Sequence, residues 1–110
     1  DEILSLAFKN GRKLLMFKTA VSYLDSEYFD RARDLFRRII RTDSLNTSAQ
    51  FLFLFSSANY FYFKNMFTRA LSLAERAADM KIDDNLKARY REPLKRLITD
   101  LAGEVKKKHV

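Results

Sequence analysis

Glu75 and Asp79 stand four residues apart, the spacing that places two carboxylates on one helix face, where a paired general acid and base could work. That chemistry needs a cleft, and the residues around the pair suggest only the solvated side of an amphipathic helix. His109 is the single histidine, it follows Lys106-Lys107-Lys108, and it has neither a cysteine nor a second histidine to complete a metal site. No Gly-rich run is present to cradle a phosphate. Catalysis, a metal and a cofactor are therefore not expected. What stands above background is a surplus of aromatic residues and the distribution of the basic ones.

The formal charge of +7 over 110 residues would permit nucleic acid, anionic lipid or an acidic protein surface as partner, and selects none of them. The charges are spread along helical faces, and the Lys106-Lys107-Lys108 cluster reads as a solvated chain end. No Arg or Lys interleaves with exposed aromatics in the pattern that stacks bases, so nucleic acid is not the expected partner. With two Gly and one Pro against 47% hydrophobic and 32% charged residues, the chain reads as one all-α domain. It contains no cysteine, which leaves the redox compartment open, and no signal peptide is visible, which favours a cytoplasmic location. It opens with Asp1-Glu2 and without Met, and is expected to be a piece of a larger protein.

The element that must be covered by all the others is Phe51 to Phe63, FLFLFSSANYFYF. It has large apolar side chains in every direction whether read with period 2 or 3.6, and a helix apolar all round has to be enclosed on most sides. Thr47-Ser48-Ala49-Gln50 before it reads as a capping box, which predicts a helix from about Ser48 to Phe63. A membrane span would need about 20 apolar residues. This run has thirteen and ends at Lys64.

Around it, apolar residues recur at spacings of three and four. Such a stripe passes in phase through Gly11 and predicts one long helix from Asp1 to Leu24. Tyr28 to Arg41 is a second amphipathic helix, and Phe67 to Met80 a fourth, Ala-rich one that the aromatic helix can approach closely. Asp83-Asp84-Asn85 supplies N-cap candidates for a last helix running to about Lys107, kinked but not broken at Pro93.

The second and fourth helices repeat each other. Tyr28-Phe29-x-Arg31-Ala32-x-x-Leu35-x-x-Arg38-Ile39-Ile40 aligns with Met66-Phe67-x-Arg69-Ala70-x-x-Leu73-x-x-Arg76-Ala77-Ala78 at an offset of 38 residues. With Ala20 and Tyr23 before the first and Ala58 and Phe61 before the second, the pattern resembles the tetratricopeptide (TPR) repeat. Glu27 and Asn65 stand where that family has its turn Gly, and Ser44 and Ile82 where it has the closing Pro. Ile39 replaces a small residue and Ala74 an aromatic one. The offset exceeds the common repeat of about 34 by roughly one helical turn, which fits an extra first turn at Thr47 to Gln50. The resemblance implies a right-handed α-solenoid of two hairpins, about 13–46 and 47–84, with a long capping helix over 85–108.

It also implies a function, the binding of a peptide or partner protein by a scaffold or adaptor. With Leu54, Ser57, Ala58 and Phe61 turned to the fourth helix, Phe55, Asn59 and Tyr62 would line the concave groove, joined by Phe17, Val21 and Leu24 from the first unit. Asn59 would bond the partner's backbone, and Arg91 and Lys95 would form a basic rim that prefers acidic flanks. Phe17 and Val21 stand where a charged peptide-terminus clamp would want Lys and Asn, so that clamp is not expected. The same aromatics could instead pack on the first helix, or complete their cover in a homo-oligomer.

Overall fold

The structure is a computed structural model that describes residues 2–108, with side chains for residues 11–107. His109 lies outside the described residues, as do the side chains of Ile3, Leu4, Ala7 and Phe8, which begin the first stripe. The described residues form five helices and no strand: α1 (Glu2–Asp25), α2 (Phe29–Thr42), α3 (Thr47–Phe63), α4 (Phe67–Asp79) and α5 (Asp84–Lys108). The all-α expectation and the approximate bounds of each helix hold. α5 continues unbroken through Pro93.

The two hairpin turns share one geometry. Glu27 and Asn65 have φ of 66° and 61°, the left-handed conformation that closes a helix. After α1, the Tyr28 N–H donates to the Tyr23 carbonyl at 2.8 Å and the Glu27 N–H to that of Leu24 at 3.0 Å. After α3, Met66 N–H reaches the Phe61 carbonyl at 2.9 Å and Asn65 N–H that of Tyr62 at 3.0 Å. Both sets are the six-to-one and five-to-two bonds of a Schellman motif, which satisfy carbonyls that the helix end would otherwise leave orphaned. The 38-residue offset read along the chain is thus an offset between two identical turns.

The start of α3 departs from the expected capping box. Asn46 is the N-cap, its Oδ1 accepting from Ala49 N–H at 3.0 Å, and Gln50 Nε2 donates to the Ser44 carbonyl. Asn caps a helix at least as well as Thr, so the cap forms one residue earlier.

Each helix packs on the next in the chain, and α3 also touches α5. α3 is buried as its composition demands, with Phe51, Leu52 and Ala58 fully enclosed. Burying a side chain such as Phe51 contributes about 1.5–3 kcal/mol. Ala70, Ala74 and Ala77 of α4 are also inaccessible, so that face meets its neighbours without bulk. The molecule is elongated, 64 × 26 × 22 Å. No helix among the described residues is long and apolar enough to cross a membrane.

Candidate functional site

The expected groove is closed along part of its length. Asp25, at the end of α1, accepts from Arg89 Nη2 at 2.6 Å and from the Tyr90 hydroxyl at 3.3 Å, both on α5. The Tyr90 ring lies 5.3 Å from that of Phe55 and 6.4 Å from that of Phe51. Burial, and after it the Asp25 charge, push the Tyr90 phenol up to about 12, so it stays protonated and remains the donor. α1 and α5 therefore meet above Phe55. Leu24 and Phe55, expected to face a partner, are only 4% and 6% exposed and belong to the core. Phe17 is half-buried, with its ring edge-on to Phe36 of α2 at 5.8 Å, and Val21 is half-buried against the same core.

The later part of α3 stays accessible. Asn59 is half-buried and donates from Nδ2 to the Phe55 carbonyl at 2.9 Å, so its amide is partly used by its own helix. Tyr62 is also half-buried and borders a cleft of about 400 Å³ with Thr99, Asp100, Gly103, Glu104 and Lys107 of α5. Glu104 pairs with Lys107 at 3.4 Å, which leaves Asp100 as the rim charge without an ion pair among the described residues.

Arg91 and Lys95 lie elsewhere. With Lys87 they follow one row at spacings of four along α5 and border a smaller cleft beside Ala78 of α4. The rim next to Tyr62 is therefore acidic, and the expected basic rim is turned toward α4. Ser57, expected to face α4, accepts from Arg33 Nε of α2 at 3.0 Å.

That bond belongs to a cluster that the linear sequence hides. Arg33 lies 5.1 Å from the ring centroids of both Tyr60 and Phe61, and 5.8 Å from that of Phe53. Arg37 of α2 is 5.8 Å from Phe53, Arg69 of α4 is 4.4 Å from Phe61, and Lys64 is 5.6 Å from Tyr60. Basic residues thus gather over half-buried Phe53 and Tyr60 and buried Phe61, because α2 and α4 bring them over α3 from either side. Burial first, and then the neighbouring Arg37 charge, lower the Arg33 pKa from its ordinary value. Among the described residues no carboxylate lies within ion-pair distance of Arg33, Arg37 or Arg69.

Comparison of the chain with protein-family models, with curated proteins and with solved structures finds no match. Among the described residues no group of His, Cys, Asp or Glu is placed to hold a metal ion.

Proposed function

We propose that the chain is a protein-interaction module of the TPR-like kind, a right-handed array of the hairpins α1–α2 and α3–α4 capped by α5. The observation that carries this reading is the repetition of one Schellman turn at an offset of 38 residues, each turn followed by a helix of the same sequence pattern. Sequential packing and an elongated outline fit such an array better than a bundle around one central core. The partner is a peptide or protein segment held at the open end of α3. Tyr62 gives it apolar area at low entropy cost, and the Asn59 oxygen gives it a polar contact that fixes register. With Asp100 on the rim, the preferred segment carries apolar anchors and basic flanks, a revision of the acidic flanks expected from sequence.

Selection of a displayed random-peptide library against the purified chain tests this. Enriched peptides should combine aromatic or aliphatic anchors with Lys or Arg, and should lose binding to the Asn59→Ala/Tyr62→Ala variant while circular dichroism shows that it is still folded at the assay temperature. No enrichment, or full binding by the double variant, contradicts the reading. A second reading, self-assembly, is favoured by Phe63, which is 67% exposed although it stacks on Phe29 at 5.7 Å. A dimer in light scattering that reverts to monomer in Phe63→Ser would replace the first reading with this one.

A further inference from the structure

The surface formed where α2 and α4 flank α3 carries two features that the proposed peptide groove does not use. One is the arginine and aromatic cluster. The other is a cleft of about 640 Å³ between the ends of α2 and α4, whose apolar lining includes Ile40, Phe53, Leu54, Leu73 and Met80. Phe53 joins them, since it lines the cleft and also lies beneath Arg33 and Arg37. A largely apolar cavity, with Arg76 and Asp79 also on its wall, thus opens beside the Arg33 and Arg37 guanidinium groups, and Arg69 lies farther along α3 on Phe61.

We infer that this face is a second docking surface, and that its occupant is an acidic protein segment with an apolar anchor. The anchor fills the cleft, and carboxylates on the same segment meet Arg33, Arg37 and Arg69. Charge complementarity carries the choice. Asp30 and Asp34 border the same hollow as Arg33 and Arg37, but Asp34 is engaged by Arg38 at 3.4 Å and neither acid reaches the three guanidinium groups. Arg33 donates its Nε–H to Ser57, and its terminal N–H groups, with those of Arg37 and Arg69, are donors suited to forked bonds with carboxylates. An incoming carboxylate would also relieve the mutual repulsion of Arg33, Arg37 and Arg69.

Single-stranded nucleic acid fits this face less well. Bases need open rings to stack on. Here Phe53, Tyr60 and Phe61 each already have two cationic groups within 6 Å of the ring centroid. A second copy of the chain, itself at +7, brings no net acidic surface.

The test is fluorescence anisotropy of the full chain with a labelled peptide of glutamates around a central Leu-Phe pair. The comparison probes are the same peptide with Ser-Ser at its centre and an oligothymidine of equal charge. Arg37→Glu/Arg69→Glu should weaken binding of the Leu-Phe peptide about tenfold or more, and Arg91→Glu/Lys95→Glu, an equal change of charge on the α5 row, by no more than about twofold. Arg37→Gln/Arg69→Gln gives the same ordering with a milder change should the reversed charges disturb folding, which circular dichroism reads directly. The Ser-Ser peptide should bind more weakly than the Leu-Phe peptide. The inference is overturned by no binding, by equal loss in both charge-reversal variants, by indifference to the Leu-Phe pair, or by tighter binding of the oligothymidine.

Discussion

Glu27 and Asn65 occupy the same place in two turns with different side chains, and this difference is measurable. Asn tolerates the left-handed conformation because its short amide bonds locally, whereas Glu meets the full steric penalty of its Cβ. Replacing Glu27 by Gly removes that penalty at some cost in unfolded-state entropy. The variant should gain about 0.5–1 kcal/mol, a rise of a few degrees in Tm. Unchanged or lowered Tm in thermal denaturation would mean that the Glu27 side chain makes a compensating contact. The sequence made these two positions legible because a repeat offset needs no knowledge of packing. It misplaced the α3 cap for an equally local reason: Asn46 and Thr47 are adjacent cap formers, and the choice between them depends on how the preceding loop returns, including the Gln50 bond to Ser44.

α3 and α4 show at the level of the element how far a periodic pattern reaches. The Ala row of α4 is legible as a close-approach face, and Ala70, Ala74 and Ala77 are all inaccessible. Ala70→Leu or Ala77→Phe should therefore cost about 1–3 kcal/mol through overpacking. Melting temperatures within error of the unsubstituted chain for both would place that face at the surface. The partners of α3 were less legible. Periodicity says that Phe55 and Tyr62 share a face, but the Asp25 bridge to α5 covers one and leaves the other accessible. The rotation of α5 also decides whether Arg91 and Lys95 or Asp100 and Glu104 border Tyr62. The gathering of Arg33, Arg37 and Arg69 over Phe53, Tyr60 and Phe61 was hidden because its members come from three helices.

On the scale of the whole molecule, neighbour-to-neighbour packing gives a long body with two separate faces, one around Tyr62 and α5 and the other between α2 and α4. Few parts of such a body need to move for a segment to dock, since each surface is formed by adjacent, mutually packed helices. The proposed function rests on the first of these faces. Its most direct test is a ¹H–¹⁵N NMR titration of the chain with a peptide obtained by library selection. The account predicts that amide shifts concentrate at Asn59, Tyr62, Thr99 and Gly103 while the rotational correlation time stays that of a one-to-one complex. Shifts confined to other helices, or a correlation time that reports a dimer, would contradict it.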